Sequence, residues 1–163
     1  LTSDSPFPIP GSRLFSWPTR IYWEDTDAGG VVYHAQYVAF LERARTEWLR
    51  AHDQSQERLR RDHDLLFAVR AMELDFLRPA RLDDLLQVTV EVRQCKRASV
   101  VFAQSIRRGE EVLLTAAVRV AALTASGFKP QALPDALYQA FKSLELPPGT
   151  TDTDNPKTLR NNG

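Results

Sequence analysis

The chain has 163 residues, 43% of them hydrophobic and 26% charged, which is the size and balance of one globular domain with a single core. Its 21 Lys and Arg are matched by 21 Asp and Glu, so whole-surface capture of nucleic acid or an anionic membrane is excluded and any polyanion site has to be a small local patch. Cys95 stands alone, which removes intrachain disulfides, thiolate metal clusters and CxxC redox chemistry and fits a reducing compartment.

Residues 1–10 hold three prolines and no Lys or Arg, a composition that does not read as a secretory signal. The longest weakly polar run, residues 112–125, is too short to span a bilayer. From residue 147 onward Pro, Gly, Thr, Asp and Asn dominate, and such a stretch buries too little apolar area to offset its ordering entropy. The expected folded unit is residues 12–146, with residues 1–11 as an N-terminal extension and 147–163 as a disordered tail.

In chain order, residues 19–23 are rich in β-branched and aromatic types and read as a strand running into a polar, glycine-containing loop at 24–30. Residues 31–50 hold no Pro or Gly, and Tyr37, Leu41, Ala44 and Trp48 recur at helical spacing, which predicts one long helix. A shorter, highly charged helix is expected at 54–62. The period then changes from 3.6 to 2: Val88, Val90 and Val92 alternate with polar neighbours, as a strand with one buried face requires. Residues 67–77, 99–107 and 111–123 are also strand-like, with Arg108 and Gly109 as the hairpin connection between the last two. Pro134 fits the start of a closing helix to about residue 144. A long helix against an antiparallel sheet, without βαβ alternation, is an α+β arrangement. One helix covers one face of the sheet, so the other face calls for a partner copy.

Ionisable groups concentrate where the first strand ends and the long helix begins: Glu24, Asp25, Asp27, the Gly29-Gly30 pair, Tyr33 and His34. Free N–H groups at a helix start can polarise a carbonyl or hold developing negative charge, and the glycines allow a ligand close to the backbone. A carboxylate beside such donors suits acyl transfer or hydrolysis. Asp27 could equally cap the helix or hold a turn, His34 and Tyr33 have ordinary structural roles open to them, and the residues alone do not choose among the three acids. A calcium loop counted from Asp25 lacks the Glu at position twelve, where Gln36 stands. The Asp-x-Asp pair has no P-loop or alternating α/β frame around it, and His34, His52 and His63 show no zinc spacing.

The run Tyr22-Trp-Glu-Asp-Thr-Asp-Ala-Gly-Gly-Val-Val-Tyr-His34, continued through the helix to Arg50 and again in Arg78-Pro-Ala-Arg-Leu-Asp-Asp84 and Pro130-Gln-Ala-Leu-Pro134, resembles the hotdog-fold acyl-CoA thioesterases. More narrowly it resembles the YbgC type, encoded with the bacterial Tol-Pal envelope system and akin to the 4-hydroxybenzoyl-CoA thioesterases. The resemblance implies a hotdog fold, a five-stranded antiparallel sheet wrapped around one long central helix, assembled as a homodimer or homotetramer. It implies hydrolysis of acyl-CoA, with acyl carrier protein thioesters as a further donor, and assigns Asp27 as nucleophile or general base. The amide at His34 faces the thioester carbonyl in that family, with the His34 side chain as an assistant.

Gly30 and Tyr33 join the substrate-binding set. Lys96, Arg97 and Ser99, at a turn between two strands, match a basic pair that related thioesterases use for coenzyme A phosphates; a solvated basic turn is the plain reading of the same residues. Phe40, Phe67 and Val69 stand between acyl pocket and core. The implied enzyme needs no metal and no cofactor, coenzyme A being part of the substrate, and works in the bacterial cytoplasm, with peripheral attachment to the inner membrane left open. A non-catalytic acyl-thioester binding or scaffold protein and a hotdog dehydratase are the competing functions; the dehydratase pairs its His with a differently placed acid.

Overall fold

The structure, a computed structural model, describes residues 13–148. The expected N-terminal extension and nearly all of the expected tail therefore lie outside the described residues. The elements run β1 (Phe15–Arg20), a single 3-10 turn (Trp23–Asp25), α1 (Gln36–Ala51), α2 (Gln56–His63), β2 (Leu65–Phe76), β3 (Leu85–Lys96), β4 (Ser99–Arg108), β5 (Glu111–Thr124) and α3 (Asp135–Ser143). The five strands form one antiparallel sheet in the order β1-β3-β4-β5-β2. This is the α+β hotdog arrangement that the resemblance implied.

α1 forms because its apolar residues return every three or four positions. Tyr37, Phe40, Leu41, Ala44, Trp48 and Leu49 are all buried, and the stripe lies against β1 and β3. Facing it are Phe15 of β1, Val88, Val90 and Val92 of β3, and Phe102 and Ile106 of β4, on the buried phase of their strands. The period-2 reading of β3 is correct, and the strand extends at both ends.

Three boundaries differ from expectation, each for a local reason. β1 lies four residues earlier in the chain than 19–23 and ends at Arg20. The Asp25 carboxylate accepts the Tyr22 N–H at 2.8 Å and curls the chain into the 3-10 turn, leaving Trp23 79% exposed. α1 starts at Gln36 rather than residue 31, because Gly30 has φ +76° and buried Val32 pairs with Thr26 across a short bridge. The β4–β5 connection is also one residue later: Arg108 still pairs with Glu111, and Gly109 carries the positive φ of +58°.

α3 closes the apolar end of the fold with Leu137 and Phe141, and the chain beyond it is locked by Glu145. Cys95 N–H donates to Glu145 Oε2 at 2.9 Å, Lys142 Nζ lies 2.8 Å from the same oxygen, and Leu146 N–H bonds Val92 O. The Lys142 ammonium, and after it the Cys95 amide, hold the Glu145 carboxyl below the usual range. A carboxyl lowered by folding takes up its proton at higher pH in the unfolded chain, so its stabilisation is complete above the unfolded value and fades as pH falls through the folded one. Glu145→Gln is expected to reduce stability at neutral pH by about 0.5 kcal/mol, water screening the rest of the pair. The difference from wild type should shrink as pH falls below the usual carboxylate range; urea unfolding at neutral and at acid pH measures it.

Candidate active site

The loop between β1 and α1 is a closed structure with two legs. Thr26 and Val32 form its bridge, Tyr33 N–H bonds Asp25 O at 2.9 Å and Asp27 N–H bonds Val31 O at 3.0 Å. Its tip, residues 27–30, is exposed. Asp27, Gly30, Tyr33 and His34 thus share one loop, as the sequence implied.

The two aspartates of the loop have different environments. Asp25 is 3% exposed, and both of its oxygens are engaged: Oδ2 accepts from Tyr22 N–H and Oδ1 from Gln36 Nε2, each at 2.8 Å. It ties the 3-10 turn to the first residue of α1. Asp27 is exposed, and its Oδ1 accepts from Gly29 N–H at 2.8 Å, the local turn bond that short acidic side chains favour. Among the described residues Oδ2 has no partner. Asp27 does not cap α1, whose N-cap is Ala35 with no side-chain bond. A carboxylate with one oxygen fixed and the other open can attack a carbonyl or take a proton from water; one with both oxygens bonded in the interior holds structure.

Both glycines serve this geometry. A Cβ on Gly29 would lie 3.0 Å from Asp27 Oδ1, and the positive φ of Gly30 turns the chain back toward the helix. Beyond them the Tyr33 and His34 rings lie 4.6 Å apart, centroid to centroid, both exposed. Gln36 N–H bonds Tyr33 O, whereas the N–H groups of His34 and Ala35 carry no hydrogen bond among the described residues. Those amides are donors available to an oxyanion.

Lys96, Arg97 and Ser99 are not brought to this loop within one chain. The loop lies at the start of β3, where Ile21 N–H bonds Asp84 O, and the basic turn lies at its far end, on the order of 30 Å away at strand rise. Arg97 already has partners: its guanidinium meets Asp135 Oδ1 at 2.8 Å and stacks 4.1 Å from the centre of the Tyr138 ring.

Two features of the site's support were not read from the sequence. Ala80 N–H donates to the Tyr37 hydroxyl at 3.0 Å and Ala80 O accepts from Val32 N–H at 2.9 Å, a pairing with no sequence signal. Arg45 Nη1 donates to Gln104 Oε1 at 2.9 Å. That pair did carry a signal: Gln104 occupies the buried phase of β4 between Phe102 and Ile106, where an unpaired amide would be costly.

The model of the Thioesterase superfamily matches residues 29–115. The chain belongs to that superfamily. It is closely related to YbgC-type acyl-CoA thioesterases: it is similar to the acyl-CoA thioester hydrolase YbgC of Escherichia coli, 49% identical over 132 residues that cover 80% of this chain and 98% of that protein. It is likewise similar to the acyl-CoA thioesterase YbgC of Haemophilus influenzae, 45% identical over 131 residues, 80% of this chain and 96% of that one. Among solved structures, a probable thioesterase from Bartonella henselae superposes with a TM-score of 0.71 at 38% identity, covering 74% of this chain and 99% of that one. Within this thioesterase no cluster of three or more His, Cys, Asp or Glu among the described residues could hold a metal ion, and no helix among them is long and apolar enough to cross a membrane.

The different settings of the two aspartates give opposite expectations for stability. Asp25→Ala strands the Tyr22 amide and the Gln36 side chain and should cost about 2–3 kcal/mol, while Asp27→Ala should cost under about 1 kcal/mol. Paired urea unfolding curves read both.

Proposed function

We propose that this thioesterase hydrolyses acyl-CoA with Asp27 as its catalytic carboxylate. The observation that carries this reading is an exposed carboxylate, one oxygen held by Gly29 N–H, on a loop that leads into the unbonded amides of His34 and Ala35. A thioester is an activated acyl group, so one carboxylate and a pair of amide donors suffice. Asp27 either attacks the carbonyl carbon or takes a proton from the water that does. Negative charge then develops on the carbonyl oxygen, where the amides meet it, and the C–S bond breaks to release coenzyme A thiol. In the first route the acyl-Asp27 anhydride is hydrolysed by water in a second step; in the second the free acid forms directly. The His34 imidazole assists from beside the amides.

The working unit in this reading is a homodimer joined through β2. β1 guards its own edge with Pro18, which cannot donate to a neighbouring strand. β2 is a 12-residue edge strand with no proline, and its inner-face residues Val69 and Phe76 are 50% and 52% exposed, an edge that invites pairing. Antiparallel pairing of β2 with its own copy sets the Phe76 end of one chain beside the Phe67 end of the other. Phe76 packs on Tyr37 at 5.7 Å, close to the Asp27 loop. Asp27 of the partner subunit thereby comes to the end of the sheet where this chain carries Lys96 and Ser99. The basic turn then serves the coenzyme A phosphates of the partner's substrate.

Asp27→Ala and Asp27→Asn should reduce thiol release from acyl-CoA by at least about a thousandfold with an unchanged folded-state spectrum. Saturable binding without turnover by the wild type would overturn the hydrolase reading in favour of a binding module. Val69→Lys should shift the mass measured by light scattering from dimer to monomer and lower activity with it; an active monomer would overturn the shared site.

A further inference from the structure

We propose that the acyl groups this thioesterase accepts are short and end in a carboxylate, and that Arg45 is the residue that reads that end. The inference rests on the acyl-CoA reading above and names the substrate class for it. A cavity of about 130 Å³ opens between α1, α3 and the inner faces of β2, β4 and β5. Its apolar walls include Trp48, Phe67, Phe102, Val120 and Phe141. A cavity of on the order of 150 Å³ holds a guest the size of benzene, so an acyl chain of about five carbons fills this one. The cavity lies about 18 Å along α1 from Gln36, at the end of the sheet that β2 pairing brings to Asp27 of the partner subunit.

An aromatic box for a plain alkyl chain would have no need of a cation, yet Arg45 lines this one. It is held there by construction. Gln104 is 4% exposed, and its Nε2 donates to Leu41 O at 3.1 Å and to Thr89 O at 3.3 Å. Those two bonds fix the amide orientation, so Oε1 faces Arg45 Nη1 and accepts from it at 2.9 Å. The remaining guanidinium N–H groups have no partner among the described residues.

Burial draws the Arg45 pKa below its ordinary value, and nearby Glu42 only partly offsets the effect. Glu42 also lines the cavity but is exposed at its rim, where it accepts from the Thr46 hydroxyl. The positive charge is thus partly desolvated and incompletely compensated, and the guest that relieves it best is an oxyanion able to take two N–H bonds from one guanidinium.

Glutaryl-CoA and hexanoyl-CoA have nearly the same length and differ in the terminal group, so the ratio of their kcat/KM values isolates the contact. The wild type should favour glutaryl-CoA by about tenfold or more, Arg45→Met should lower that ratio by at least about tenfold, and Arg45→Lys should retain part of the preference. A ratio unchanged in Arg45→Met overturns the assignment, because a loss of folding or of general activity moves both substrates together. Calorimetric titration with hexanoate and with 1-hexanol provides a readout that needs no turnover. Tighter binding of hexanoate, lost in Arg45→Met, supports the carboxylate site even if no acyl-CoA is cleaved, in which case the hydrolase reading alone fails. Equal binding of acid and alcohol by the wild type overturns the site.

Discussion

Ala80 uses both of its backbone groups to fasten the site. Its N–H is given to the Tyr37 hydroxyl on α1, its carbonyl receives Val32 from the second leg of the Asp27 loop, and it is fully buried. The Asp27 loop, α1 and the connection between β2 and β3 therefore meet at one residue. The connection that carries Ala80 is itself clamped: Arg108 bonds Asp84 at 2.7 Å and also pairs with Glu111, while Asp84 Oδ2 accepts from Arg81 N–H. This support adds to the Asp25–Gln36 bond in joining the loop to the helix.

The second constraint is one of coverage. β5 buries its inner face, with Leu114, Val118 and Ala122 fully enclosed, whereas the inner face of the edge strand β2 is covered only in part. The half-exposed Val69 and Phe76 are the consequence. A single copy leaves apolar strand residues in water; in the proposed dimer a second copy aligned through β2 would cover them and bring its own Asp27 loop to the uncovered end.

Much of this was legible in the sequence, for reasons that particular residues make plain. The α1 stripe and the Val88-Val90-Val92 alternation are periodic, and periodic burial is what sequence records best. The acid cluster was visible, but the sequence could not tell Asp25 from Asp27, because their difference lies in which oxygens are engaged. It is Tyr22 N–H and Gln36 Nε2 that draw Asp25 inward. The start of α1 was read five residues early because residues 31–35 lack Pro and Gly; what stops the helix there is the Thr26–Val32 bridge, a contact between two legs of one loop. The distance from Lys96 to Asp27 was invisible for a related reason. Spacing along the chain says nothing of which end of a strand a turn occupies until the register is known.

Hydrophobic burial places α1 on the sheet but does not fix it there. An apolar stripe tolerates a few degrees of rotation and a small slide at little cost, since one aliphatic contact replaces another. Directional bonds do not. Gln36 Nε2 to Asp25 and the Tyr37 hydroxyl against Ala80 set the first turn, and Gln104 Nε2 to Leu41 O sets the second from beneath. Each joins a buried or half-buried polar group that would be costly to leave unsatisfied. Together they fix the axial position and rotation of the helix, and so the direction of the His34 and Ala35 amides. Oxyanion binding needs donors placed to within about half an ångström. In this thioesterase the hydrophobic core makes the fold stable, and a few buried polar bonds decide where its longest helix, and the His34 and Ala35 amides that precede it, come to lie.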